Sequence, residues 1–248
     1  MDIKIPYTPR KHQAYLHKQI DKNRWNVLVC HRRFGKTVCM INHLIRSALL
    51  SKLKNPRFAY IAPTFKQAKS IAWDYMKQFT AKIPHTKFNE TELRVDLPNG
   101  SRITLLGSES PDGLRGIYLD GCVIDEYANV NSKLFPEIIR PALSDRKGYC
   151  VFIGTPMGMN NNFYELYQHA QGAEDWFNYK AKASQTKIVD QDELDKAKEV
   201  MGEKKYQQEF ECDWIANIEG AVYGDVIAKL DDDKQLTRVP YDPALPVS

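Results

Sequence analysis

Apolar residues follow two different periods along this chain. Continuous apolar runs at 27–30, Arg57–Ala62, Gly121–Asp125 and Tyr149–Gly154 have the composition of strands buried on both faces, as in the centre of a parallel sheet. Helical spacing separates them. Residues 7–20, behind Pro6 and Pro9, put Ala14, Leu16 and Ile20 on one side. Residues 36–50 do the same with Val38, Met40, Ile41, Leu44 and Ile45, and the segment after Pro63 with Ala68, Ala72, Tyr75, Met76 and Phe79. Period-two alternation at 93–97 and 102–106 flanks Pro98-Asn99-Gly100-Ser101, which predicts a β-hairpin because Asn-Gly accepts positive φ cheaply.

Beyond Gly154 the pattern predicts a last strand over 176–183. Asp190 and Glu193 have capping-box spacing and open a helix through about Met201; a second short helix spans 203–212, after Gly202. Strands alternating with helices imply an α/β fold with a doubly wound, mostly parallel sheet flanked by helices. The helical pair around Trp214 reads as a small appended lid. Residues 1–180 are therefore expected to form the core and 181–222 the lid. Residues 223–248, with Asp231-Asp232-Asp233 and then Pro240, Pro243 and Pro246, read as a linker.

Composition narrows the class without naming it. With 248 residues the chain can bury one good core, roughly 70–75% of the surface that its unfolded form exposes. Hydrophobic content of 43% and charged content of 27% are ordinary for a globular protein. No apolar run reaches the ~20 residues that span a bilayer, and the first residues are too polar for a signal peptide. The five cysteines show no C-x-x-C spacing, so they read as small core residues in a reducing compartment. No Cys/His cluster suggests zinc. A net charge of +4 permits nucleic-acid binding but does not argue for it.

The chemistry concentrates at strand ends. Strand 27–30 runs through His31, Arg32, Arg33 and Phe34 into Gly35-Lys36-Thr37, which opens a helix. Such a turn aims free backbone N–H groups and a helix N-terminus at a phosphate; Lys36 would reach the β/γ-phosphates and Thr37 would hold Mg2+. Cys30 stands where the phosphate-loop pattern has its first glycine. The next strand end carries Asp125, for the Mg2+ shell, and Glu126, to polarise the attacking water. Thr155, after Gly154, can hydrogen-bond the catalytic acid or the γ-phosphate. Arg32, Arg33 and Arg115 either neutralise transition-state charge or are solvated loop residues. Gln13, with Arg10 and nearby Tyr7, reads as an adenine contact or as an ordinary surface glutamine.

Taken in order, Gln13, 32–37, Ala62-Pro63-Thr64, Leu114-Arg115-Gly116, 123–126 and Gly154-Thr155-Pro156 resemble the ATPase domain of the large terminase subunit of tailed bacteriophages. The later Tyr206–Phe210 segment, Trp214 and 220–223 resemble that family's lid. The resemblance covers about residues 5–225. It implies a RecA-like P-loop NTPase fold and an ATP- and Mg2+-dependent motor that pumps double-stranded DNA through the portal into a procapsid. The motor works with a small terminase subunit, as a ring of five in the bacterial host cytoplasm, while the isolated domain is expected to be monomeric. The family's phosphate loop commonly lacks the first glycine and carries an arginine where Arg32 stands. The resemblance makes Glu126 the catalytic base, Thr155 the coupling residue, and Arg102 or Arg115 the candidates to act on a neighbouring subunit. It also implies a C-terminal nuclease domain beyond the 223–248 linker. Since Asp231–Asp233 lacks flanking apolar strands, no nuclease activity is expected from these residues. Two other readings remain open: a superfamily-two helicase-like ATPase, which shares the Asp-Glu strand and Ala-Pro-Thr, and a nucleotide-dependent docking module without turnover.

Overall fold

The structure, a computed structural model, describes residues 5–215. Along the chain come α1 (Lys11–Ile20), β1 (Trp25–Cys30), α2 (Lys36–Leu50), β2 (Arg57–Ala62), α3 (Phe65–Gln67), α4 (Asp74–Thr80), β3 (Lys87–Asn89), β4 (Arg94–Asp96) and β5 (Arg102–Gly107). The second half adds β6 (Gly121–Asp125), α5 (Arg140–Ala142), β7 (Tyr149–Gly154), α6 (Asn162–Gly172), β8 (Trp176–Ala181), α7 (Ala183–Thr186), α8 (Gln191–Met201) and α9 (Glu203–Glu209). π-helical turns at Ala68–Trp73 and Leu134–Ile139 join α3 to α4 and lead into α5.

One sheet runs in the order β3-β4-β5-β2-β6-β7-β1-β8. Every pairing from β5 to β8 is parallel, and only the β3-β4-β5 edge is antiparallel. The apolar strands β1, β6 and β7 lie side by side at its centre, almost wholly buried. Side chains that alternate along them feed two cores. On one face Leu28, Tyr60, Val123 and Ile153 pack against Met40, Ile41, Leu44 and Ile45 of α2. On the other, Val29, Ile124 and Phe152 pack against Phe163 of α6 and Leu134 and Ile138.

The predicted hairpin forms around Gly100, whose φ is +83°. Its turn has a second use: Asn99 Nδ2 and Ser101 Oγ donate to the Ala48 carbonyl at 2.9 and 2.7 Å, satisfying an orphan acceptor in the last turn of α2.

Several expectations need correction. α1 starts at Lys11 rather than residue 7, because Pro9 holds Thr8 out of the helical region and Arg10 stays extended. Tyr75 is exposed, and Gln13 is buried where Ala14 was expected. The capping box of α8 is not made, since Asp190 forms no side-chain cap bond; the acids Asp192 and Glu193 instead favour the helix N-terminus. The pattern does not predict α6 or β3, although Asn161 caps α6 by accepting from Phe163 and Tyr164 N–H at 3.0 and 3.2 Å.

The helices after β8 build a small cluster of their own from Ala183, Leu194, Tyr206 and Phe210. Trp214 does not belong to it. The chain turns at Cys212 (φ +55°) and seats Trp214 on Phe163, Tyr164 and Tyr167, which ties the far end of the lid segment to α6 of the main body. The segments 220–223 and 223–248, including Asp231–Asp233, lie outside the described residues.

α1 is joined to α2 by a buried polar contact. His17 and His43 stack with ring centroids 5.3 Å apart and Nδ1 atoms 3.1 Å apart. Burial lowers His17 to about 4 and His43 to about 3, with Arg46 adding to the first and His17 to the second. Both rings are neutral in the fold, whereas the unfolded chain protonates them near 6.5. The pair's contribution is therefore complete above that pH and is lost as pH falls towards 4. Urea unfolding should show stability falling below pH 6.5, with a slope for each ring that approaches about 1.4 kcal/mol per pH unit near pH 5, and replacing His43 with Leu should reduce that slope.

Candidate active site

Three neighbouring strands end at the same edge, and that register creates the site. β7 lies between β6 and β1, with Asp125 level with Ile153 and Ile153 level with Leu28. The residues just beyond these strand ends, Glu126, Thr155 and the 31–37 loop, therefore meet in a row at the carboxyl edge, where open α/β sheets bind ligands.

Cys30 is explained by its place. It is the last residue of β1, paired in register with Ala181, with its side chain in the core. An extended residue needs no glycine, so the loop proper begins at His31. Its positive φ values fall at Arg33 (+69°) and Gly35 (+86°). At Gly35 a Cβ would meet an unfavourable φ and would stand 3.0 Å from Gln13 Nε2, which would have to give way.

The loop is held from two sides. From α1, Gln13 Nε2 donates to the Gly35 carbonyl at 3.2 Å, Gln13 Oε1 accepts from Arg10 N–H at 3.0 Å, and Arg10 Nη1 donates to the Phe34 carbonyl at 3.4 Å. Gln13 thus spends one donor on the loop and one acceptor on the N-cap of its own helix. Tyr7 hydrogen-bonds His17 at 3.0 Å and lies 3.5 Å from Gln13 Oε1. From the lid, the Arg32 N–H donates to the Glu209 carbonyl at 2.7 Å. His31 is buried with Nδ1 2.6 Å from the Arg32 carbonyl, and its Nε2 accepts from the Thr186 hydroxyl at 2.8 Å. Burial lowers its pKa and keeps the ring neutral. Arg32 and Arg33 are exposed, and Phe34 is buried against His31.

Lys36 reaches across the row. Its ammonium donates to Thr155 Oγ1 at 3.1 Å and to the Cys30 carbonyl at 3.4 Å. The Thr155 backbone N–H faces the Glu126 carboxyl and pulls its pKa down, so one residue acts on both the loop lysine and the strand acid. Burial pushes the Asp125 carboxyl up, while Tyr60, Lys36 and the Glu126 N–H pull it down. Burial raises Glu126 too, reinforced by Asp125 and Glu209 and opposed by Lys36. Glu126 also has left-handed backbone (φ 47°, ψ 48°), a strained choice for a non-glycine residue. Lys36 is the one lysine that acts on both the buried Asp125 and the half-buried Glu126, which leaves that pair short of positive charge; Glu209, paired with Lys205 at 3.2 Å, adds to the negative field at Glu126. That donor set fits a divalent cation, which Thr37 and Asp125 would hold.

Two residues of the site went unread in the sequence. Tyr60, on β2, donates a hydrogen bond to Asp125 Oδ2. Glu209 reaches the acid pair from α9. A phenol inside a strand as apolar as 57–62 was a readable signal, because a buried tyrosine hydroxyl requires a partner; nothing in the pattern marked Glu209. Two arginines fall outside the row. Arg102 starts β5 at the opposite end of the sheet, its Nε 2.6 Å from Asp96. Arg115 is exposed with its guanidinium 3.8 Å from Glu137.

Comparison with known proteins places this geometry in a family. The model of the N-terminal region of the terminase large subunit, T4likevirus-type, matches residues 29–225. The chain belongs to the large terminase family. It is 27% identical over 182 residues to the terminase large subunits of Thermus phage G20c and Thermus virus P23-45, covering 66% of this chain and 36% of each relative. The matched part of this terminase chain thus spans about a third of the length of those relatives. The ATPase domain of the large terminase of Thermus phage P74-26 superposes with a TM-score of 0.71 at 21% identity, over 85% of this chain and 95% of that one. The large terminase of another thermophilic bacteriophage, in complex with ADP, gives 0.72 at 16% identity, over 82% and 53%. The fold is therefore that of terminase ATPase domains, a RecA-like P-loop NTPase with a small helical lid.

Gly35 gives the sharpest local test of this terminase loop. Gly35→Ala should cost about 1–2 kcal/mol in urea unfolding, from its positive φ and the clash with Gln13, and should weaken binding of ADP. Unchanged unfolding and binding would remove the Gln13–Gly35 clamp from the account.

Proposed function

We propose that this domain is the ATPase of a viral DNA-packaging motor, coupling ATP hydrolysis to movement of double-stranded DNA through a portal into a procapsid. The observation that carries the reading is the row formed by Lys36, Thr155 and Glu126 across three adjacent strand ends. The ADP bound to the terminase of the thermophilic bacteriophage supports a nucleotide as the occupant.

Each residue then has a task. The backbone of 31–37, Lys36 and the N-terminus of α2 bind the phosphates, and Arg10 and Gln13 fix the loop from behind beside the base. Thr37 and Asp125 would hold Mg2+, which would supply positive charge to offset that of the phosphates. Glu126 orients a water and takes its proton; the raised pKa of its carboxyl makes it a better proton acceptor than a free glutamate. Thr155 reports the state of the phosphates, because a phosphate that takes Lys36 removes the donor Thr155 Oγ1 now accepts from. Arg32, exposed in the loop, is the candidate to neutralise transition-state charge within one subunit. Arg115, on the outer surface, is the stronger candidate to act on a neighbour in a ring of five, given where Arg102 lies. The portal, the small terminase subunit and the bacterial host cytoplasm follow from the same reading. No helix among the described residues is long and apolar enough to cross a membrane.

Steady-state ATP hydrolysis and ADP titration test the assignment together. Glu126→Gln should bind ADP as wild type does and lose turnover by about 10²–10⁴-fold, whereas Lys36→Ala should lose both. A Glu126→Gln rate equal to wild type would leave a docking module as the better description.

A further inference from the structure

Tyr60 is the one residue of β2 whose side chain carries a buried polar atom. Phe58, Ala59, Ile61 and Ala62 around it are buried and wholly apolar. Its ring packs on the α2 side of the sheet with Leu28, Val123 and Ile153, and the residue is 1% exposed. Tyr60 is level with Val123 of β6, two residues before Asp125, so the phenol reaches along the sheet to the site edge.

There the hydroxyl meets Asp125, one of the two residues assigned to the cation, and donates to its Oδ2. The other Asp125 oxygen accepts from the Glu126 N–H at 2.9 Å. Each carboxylate oxygen therefore has one fixed donor, which sets the plane of the group. The carboxylate is thereby fixed from β2 as well as from its own strand.

We propose that Tyr60 is a positioning residue for the divalent cation, holding the Asp125 carboxylate in place through its phenolic hydroxyl. The proposal rests on the nucleotide-site reading given above. Hydrogen-bond partners behind metal ligands typically change metal affinity by about 10–100-fold when removed.

The test is ADP binding by calorimetry, in EDTA and across a Mg2+ series, for wild type, Tyr60→Phe and Tyr60→Met. Phe keeps the ring and removes only the hydroxyl; Met fills the space flexibly if Phe does not fold. Both variants should bind ADP in EDTA as wild type does, with the Mg2+ midpoint raised by about 10-fold. A loss in EDTA as large as the loss in Mg2+ would make Tyr60 a packing residue and overturn the proposal. Mg2+-dependent tightening in wild type that both variants retain would overturn Tyr60 alone. Wild-type binding that ignores Mg2+ would overturn the site reading and the proposal with it.

Discussion

Two carboxylates buried beside a single lysine are the constraint around which this domain is arranged. Asp125 and Glu126 sit where burial disfavours their charge, and Lys36 is the cation that acts on both. Keeping them there requires a stiff frame. β6, β7 and β1 supply it, because parallel neighbours in fixed register place three strand ends at one level. The apolar layers on both faces are what hold that register: a slip of one residue would turn Val123 and Asp125 away from α2 and Ile124 towards it.

Much of the sheet was legible before the structure, for a physical reason. Strands buried on both faces must be apolar throughout, so β2, β6 and β7 announce their bounds in composition alone. α2 is equally plain because its apolar stripe repeats at helical spacing behind Gly35. Where tertiary contacts rather than local pattern decide, the sequence says less. β3 is three residues long and exists because β4 offers it an edge. The 134–142 segment carries Pro136 and Pro141 and winds partly as a π-turn, so its periodicity is blurred. α6 had a readable cap in Asn161 and apolar positions at Phe163, Leu166, Tyr167 and Ala170, yet its polar residues diluted the signal.

The site shows the same division. Lys36, Thr37, Asp125, Glu126 and Thr155 are readable as candidates because each stands at a strand end or on the turn that follows one. Gln13 was readable as a functional position, but its principal bonds in the fold are to Arg10 and Gly35 of the protein itself. Arg102 and Arg115 illustrate the opposite limit. Both precede β6 in sequence, but strand direction sends Arg102 to the far end of the sheet, and no periodicity in the sequence records that.

The lid changes what the phosphate loop is. Without it, the 31–37 segment would be a turn anchored by α1 alone. With it, the Arg32 N–H is tied to the Glu209 carbonyl and His31 to Thr186, so two lid helices hang on the same few loop residues that would face a phosphate. Glu209 also faces the acid pair and opposes the charge on Glu126. Any group that changes the charge in the row acts at once on Thr155 through Lys36 and on α9 through Glu209. Trp214 then carries a displacement of the lid segment back to α6, because its ring is packed against Phe163, Tyr164 and Tyr167. The path from phosphate to the outer face of the sheet is therefore short and made of named contacts: Lys36 to Thr155 and Glu126, Glu126 to Glu209, and the end of α9 to Trp214. Two of its links are electrostatic, Lys36 to Glu126 and Glu126 to Glu209; Lys36 to Thr155 is a hydrogen bond, and Trp214 is held by packed rings. The charge of the site is thus felt at α9 through Glu209, beside the hydrogen bonds that tie α7 and α9 to the loop.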